Sequence, residues 1–138
     1  MAKVFHCSVV TPEEKLIDGD LTYASLPAWD GQYGIAPGKS PLLVKLGIGQ
    51  MRLDFAVGGS RWYLIEGGYA QMIGSELTIL SGKAHKAENL TESDAQKELD
   101  QALELTGVGE EEAEAKRSAV ETARQKRHLA HHASHRGI

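Results

Sequence analysis

The chain has little of several things, and each shortage excludes something. Its 138 residues include one cysteine, Cys7. One cysteine excludes an internal disulfide framework and any zinc site built on a cysteine cluster. No apolar run approaches the roughly 20 residues that a membrane-spanning helix needs. The first residues, Met1-Ala2-Lys3-Val4-Phe5-His6-Cys7, lack the long apolar core of a secretion signal. The expectation is a reducing compartment on the cytoplasmic side. Positive charge is not in excess: 15 Lys+Arg stand against 19 Asp+Glu, a formal net charge of −4. A general nucleic-acid binder would need a basic surface, so nucleic acid is not an expected partner. Chemical motifs are equally scarce. There is no GxxxxGK(S/T) phosphate loop, no HExxH and no GxSxG. Gly47-Ile48-Gly49-Gln50-Met51-Arg52 lacks the third glycine of a dinucleotide fingerprint. No spacing of Ser, His and acidic residues suggests a triad. The chain is therefore expected to carry no catalytic residues and no cofactor.

What is present is sharply partitioned. Residues 1–87 carry eight basic and eight acidic side chains. Residues 88–114 carry ten acidic and one basic, Lys97, a balance of −9. Residues 115–138 carry six basic and one acidic, Glu121, a balance of +5. Glycine and proline divide at the same place. All four prolines and 12 of the 15 glycines lie in residues 1–87, so two regions with different composition are joined near residue 88.

Residues 1–87 read as β structure. Short apolar runs, such as Val4–Val10, Leu21–Leu26, Arg61–Glu66 and Glu76–Leu80, are separated by Gly, Pro and Asp-Gly turn signals. Several short strands at this spacing predict a sandwich or barrel. In Met51-Arg52-Leu53-Asp54-Phe55-Ala56-Val57 the alternation assigns Met51, Leu53, Phe55 and Val57 to one face, Arg52 and Asp54 to the other. Cys7, in the first run, reads as a small core hydrophobe.

Residues 88–138 read as two helices. Thr91-Glu92-Ser93-Asp94 has the form of a helix start, with Thr91 as N-cap. Ala95, Leu99, Ala102 and Leu103 follow on one apolar face, and Gly107-Val108-Gly109 is the expected stop. A second helix is expected from about Glu110–Glu112, with its basic and histidine residues crowded toward the end where they suit the helix dipole. A three-residue linker favours an antiparallel pair. The second helix offers mainly Ala113, Ala119, Val120, Ala123 and Ala130 as apolar residues, so the pair should be helical but loosely held. His128, His131, His132 and His135 fall at i, i+3, i+4 and i+7. No metal site is assigned to them: the plainer reading is a solvated terminus, with metal binding or pH sensing as the alternatives.

One set of residues carries a resemblance. Val10-Thr11-Pro12-Glu13, the run Gly31-Gln32-Tyr33-Gly34-Ile35-Ala36-Pro37-Gly38-Lys39-Ser40-Pro41-Leu42-Leu43, Ile65-Glu66-Gly67-Gly68-Tyr69-Ala70 and Leu77-Thr78-Ile79-Leu80 together resemble the ε subunit of F-type ATP synthases. The resemblance covers essentially the whole chain. It implies a flattened β-sandwich of about ten strands over residues 1–87, docking on the γ subunit and the c ring. It implies an antiparallel two-helix hairpin over residues 88–138, a mobile regulatory element. The implied role is a non-catalytic rotor subunit of the central stalk, peripheral on the cytoplasmic side of an energy-transducing membrane, here a bacterial plasma membrane. Gly31, Gln32, Tyr33 and Lys39 match the family's ring-facing loop, with Gln32 replacing the usual Glu and Lys39 the usual His. Arg117, Arg124, Lys126 and Arg127 match the basic residues that the second helix presents to an acidic segment of the α/β catalytic head, where the hairpin inhibits hydrolysis. Some members bind ATP through an (I/L)DxxRA motif. Here Thr91 stands for its Asp and Asp94 for its Arg, so a phosphate would meet a carboxylate and ATP binding should be weak or absent. The alternative to the stalk subunit is a stand-alone sandwich module with a metal- or pH-sensing histidine tail.

Overall fold

The computed structural model describes residues 3–38 and 41–136. The chain divides into two compact units, Met1–His85 and Lys86–Ile138. Among the described residues seven strands follow in order, the last running one residue past the end of the first unit: β1 (Phe5–Val10), β2 (Lys15–Ala28), β3 (Gly31–Ile35), β4 (Leu42–Phe55), β5 (Gly59–Ile73), β6 (Glu76–Leu80) and β7 (Ala84–Lys86). Their hydrogen-bonded order is β1-β6-β5-β4-β2-β3, with β7 on β5 and β1 also paired to β2. The β1–β2 pairing closes the sheet on itself; β1 and β6 run parallel, while β1–β2, β2–β3, β2–β4, β4–β5 and β5–β6 are antiparallel.

The short runs visible in the sequence join into fewer, longer strands. β2, β4 and β5 have 14, 14 and 15 residues. Register shifts between Leu21 and Tyr23 and between Ser25 and Ala28 let β2 bend without ending. A bend inside one strand has the same sequence signature as a break between two, so neighbouring apolar runs merge, and the described residues form seven strands where the resemblance implies about ten.

The core follows the two-residue period of a strand. In β1, Phe5, Cys7 and Val9 point inward, and Leu77 and Ile79 do so in β6. Met51 and Leu53 of β4 join them, but the alternation stops at Phe55. Val57 lies beyond the strand end in the turn before Gly58, 91% exposed. Gly58 and Gly59 both have positive φ, +108° and +79°. That left-handed turn ends β4 before Val57 can reach the core face. Cys7 is fully buried, and burial pushes its thiol up to about 12, which leaves it unreactive as a thiolate. The tightest backbone approach is at Gly68, with φ +116°. A Cβ there would lie 1.9 Å from the carbonyl oxygen of Leu80.

The second unit opens with a short 3-10 turn, Ala87–Asn89, and contains α1 (Glu92–Leu103) and α2 (Glu110–Arg136). The Thr91 hydroxyl accepts the Asp94 N–H at 3.1 Å, capping α1 as its sequence predicts. Ala95, Leu99 and Ala102 are buried on one face. The helix stops earlier than the glycines at 107 and 109 suggest. Leu103 and Leu105 are 49% and 46% exposed, so past Ala102 no buried apolar contact sustains the helix. Residues 104–109 form the connection, longer than the expected three-residue linker. Gly109 (φ +89°) then starts α2, its carbonyl accepting the Ala113 N–H at 3.0 Å. On α2, Ala123, Ala130, Thr122 and Leu129 are buried, and Ala113, Ala119 and Val120 are half-buried. Leu129, fully buried, is the large apolar residue of this face that the alanine pattern had hidden.

Candidate interaction surfaces

Gly31, Gln32 and Tyr33, expected from the resemblance to lie in a loop, belong instead to strand β3, directly after a tight hairpin turn, because they pair in register with β2. Ala28 and Gly31 pair with each other, leaving Trp29 and Asp30 as the turn. The Trp29 N–H donates to the Lys45 carbonyl at 3.1 Å, while its side chain is 72% exposed. Gly31 (φ +137°) and Gln32 are exposed. Gln32 is nevertheless engaged along the sheet. Its Oε1 accepts from the Ser25 hydroxyl at 2.8 Å, and its Nε2 donates to the Gln50 carbonyl at 3.4 Å. Tyr33 is half-buried and packs against the sandwich core. Lys39 lies outside the described residues. The structure thus brings Gly31 and Gln32 to the surface, turns Tyr33 partly inward, and adds Trp29 and Asp30 at the tip.

A second surface was not singled out in the sequence. In β5 and β6, Ala70, Met72, Leu77 and Ile79 fill the interior, so their neighbours face outward. Tyr69 pairs with Lys45 on one side and Leu80 on the other, Gln71 with Leu43 and Thr78, and Ile73 with Glu76. Leu43, Tyr69, Ile73 and Leu80 are 70%, 52%, 58% and 52% exposed. Four large apolar side chains therefore share one outward face, more than scattered surface hydrophobes would place together. The signal was in the strands themselves. Met72-Ile73 and Ile79-Leu80 are apolar on both alternating positions, as expected where both faces of a strand are to be covered.

The two helices meet along a polar ladder. Lys126 Nζ reaches the two carboxylate oxygens of Glu98 at 3.1 and 3.0 Å. Arg127 donates to Gln96 Oε1 at 2.8 Å, and His131 Nδ1 lies 2.8 Å from Glu92 Oε1. Partners rise in number along one helix as they fall along the other, which is antiparallel packing. Arg117 is paired with Glu114 of its own helix. Arg124 is exposed and, among the described residues, makes no ion pair. Of the four basic residues named from sequence, two are thus bound to α1, one is paired on its own helix and one is in solvent. The histidines do not act as one face. His131 turns to α1, while the rings of His128 and His132 lie 4.6 Å apart. The side chain of His135 lies outside the described residues. Thr91 and Asp94, where an ATP motif would fall, are occupied by the cap: the threonine oxygen faces the first-turn N–H, and Asp94 adds negative charge there.

A charged cluster joins β1 to β2. His6 lies 3.3 Å from Asp20 and also contacts Asp18, which meets Lys15 at 2.5 Å. The hydrogen bond to Asp20, opposed by some desolvation and helped by Asp18, raises the His6 pKa above the ordinary imidazole value. The hydrogen bond from Lys15 and the nearby His6 lower that of Asp18. At the other end of this unit, His85 Nε2 and Glu66 Oε2 are 2.7 Å apart.

Comparison with known proteins agrees with this architecture. Residues 4–87 match the family described as ATP synthase, Delta/Epsilon chain, beta-sandwich domain. The ATP synthase epsilon chain of Rhodopirellula baltica is 36% identical over 118 residues, 86% of this chain and 91% of the relative. That of a Synechococcus strain is 32% identical over 77% of each chain. Among solved structures, a chain of the Euglena gracilis mitochondrial ATP synthase OSCP/F1/c-ring assembly superposes with a TM-score of 0.79 at 17% identity, covering 91% of this chain and 79% of the other. A chain of the Tetrahymena thermophila mitochondrial central stalk/c-ring gives 0.69 at 16%, covering 91% and 95%. At those identities the likeness is one of fold. Among the described residues, no helix is long and apolar enough to cross a membrane.

Proposed function

The chain belongs to the delta/epsilon family of ATP synthases, alongside its epsilon chains, and we propose that it is a non-catalytic rotor subunit linking γ to the c ring. The observation that carries this reading is the outward face of Leu43, Tyr69, Ile73 and Leu80. Exposed apolar side chains on a closed sandwich fit a permanent protein partner, and γ is the partner assigned to this face. The β2–β3 hairpin, with Gly31, Gln32 and Tyr33, is assigned to the c ring, and so is Lys39 of the sequence that follows. The subunit is then peripheral, on the cytoplasmic side of an energy-transducing membrane, a bacterial plasma membrane in this reading. Co-purification with γ tests the first contact. The wild-type chain should be retained, and Leu43→Asp with Leu80→Asp should weaken retention at least about tenfold. Equal retention of that variant would refute the assigned face.

The helical pair is assigned to regulation of hydrolysis. Arg117, Arg124, Lys126 and Arg127 are the residues that would meet an acidic segment of the catalytic head. Lys126 and Arg127 are bound to α1, so presenting them to a partner exchanges one set of polar contacts for another. Such an exchange between nearly balanced sets needs only a few kcal/mol to move the population. Removal of residues 89–138 should raise ATP hydrolysis by the assembled complex; unchanged hydrolysis would rule out inhibition by this element. ATP binding by the isolated chain should be weak or absent, since Asp94 stands where an arginine would meet phosphate. Isothermal titration with micromolar affinity would contradict that.

A further inference from the structure

We propose that His128 and His132 form a two-nitrogen site for a divalent transition metal ion of the zinc, nickel or copper class. The two residues are one helical turn apart on α2, and their ring centroids lie 4.6 Å apart with planes inclined by 55°. Imidazole nitrogens are preferred ligands for these ions, and the i, i+4 spacing on a helix lets two of them face one ion. Each zinc–nitrogen bond spans about 2 Å, so two rings with centroids 4.6 Å apart are within reach of a single ion. The neighbouring histidine turns toward α1: His131 Nδ1 lies 2.8 Å from Glu92. Gln125, one turn earlier, donates its amide to Glu121 at 2.9 Å.

Among the described residues, no group of three or more His, Cys, Asp or Glu side chains is placed to share an ion. Two protein ligands would leave the remaining coordination positions to water. Such a site is open and exchangeable, and Arg124 and Arg127 on the flanking turn lower its affinity further. The ion would tie together consecutive turns near the C-terminal end of α2, favouring the helical form by mass action.

Titration of the full chain with zinc chloride or nickel chloride, followed by calorimetry, tests the site. The expected result is about one ion per chain with micromolar affinity, weakened at least about tenfold in His128→Gln and in His132→Gln. His131→Gln should stay within about twofold of wild type. Circular dichroism of each variant without metal checks that the helices are intact, and added zinc should raise the helical signal of the wild type only where both ligands remain. Absence of binding, unchanged affinity in both ligand variants, or an equal loss in His131→Gln would overturn the assignment.

Discussion

In the sandwich, Phe5, Leu21, Leu26, Met51, Leu53, Tyr63, Ile65 and Ile79 are all at most 2% exposed. The helical unit buries Ala87, Ala95, Leu99, Ala102, Ala123, Leu129 and Ala130 instead. The difference is one of side-chain size. Each buried methylene is worth about 0.8 kcal/mol, so a core of large side chains folds with a wide margin and a core of alanines with a narrow one. Between α1 and α2, polar pairs take up part of the role that bulk plays in the sandwich. Most of these are surface contacts, worth about 0–1 kcal/mol each, though Lys126 is largely covered, its side chain 13% exposed. The unit assigned to regulation is thus the one that packing holds less firmly, which is what an element that moves requires.

The sharpest way to break that contrast is to damage the sandwich where it has no slack. Gly68→Val combines a φ of +116° with a Cβ 1.9 Å from the Leu80 oxygen. It should cost more than about 4 kcal/mol in denaturant unfolding, or prevent folding. A loss under about 1 kcal/mol would mean that the β5–β6 edge yields far more easily than its packing implies. Next in size is Leu129→Ala, which removes the fully buried large side chain of α2. About 2–3 kcal/mol should be lost, and hydrogen exchange should show the loss in α1 and α2 amides while β4 and β5 amides keep their protection. Equal deprotection in both units would show that they unfold as one.

Thr91→Ala removes the cap bond to the Asp94 N–H. It should cost about 1 kcal/mol, again read in the helices alone. The smallest expected effect is a pH dependence confined to the β1–β2 edge. His6 gains its proton more readily in the folded chain because of Asp20 and Asp18. Its stabilising contribution is complete below the ordinary imidazole value of about 6.5 and fades as pH rises through its raised folded value. The thermal midpoint of wild type minus that of His6→Gln should therefore shrink from pH 6 to pH 9. A constant difference would mean that the imidazolium is not what the two aspartates stabilise.

Much of this was legible in the chain itself, for a physical reason that differs by residue. Thr91 and the Ala95-Leu99-Ala102 stripe act within one or two helical turns, so their spacing was enough to identify them. Phe5, Cys7 and Val9 were legible through the two-residue period. Leu129 was not, because one leucine among alanines and histidines makes a faint stripe. Val57 was misplaced because an apolar residue continues an alternating pattern even after the strand has turned. Gln32 presented a different obstacle: its partners Ser25 and Gln50 come from β2 and β4, and only strand register puts them within reach.

The sequence by itself determined the division into a Gly/Pro-punctuated β unit and an acidic-then-basic helical pair, because composition and short-range periodicity are local properties. It also pointed to the family, through the runs at Gly31–Leu43, Ile65–Ala70 and Leu77–Leu80. The tertiary structure decided which side chains meet across elements and which gather at the surface. It tied Lys126 and Arg127 to α1, folded Gln32 back along the sheet, separated His131 from the His128–His132 pair, and gathered Leu43, Tyr69, Ile73 and Leu80 onto one face. Each of these depends on which strand or helix lies alongside, and that pairing is set by burying the whole core at once rather than by any neighbouring residue.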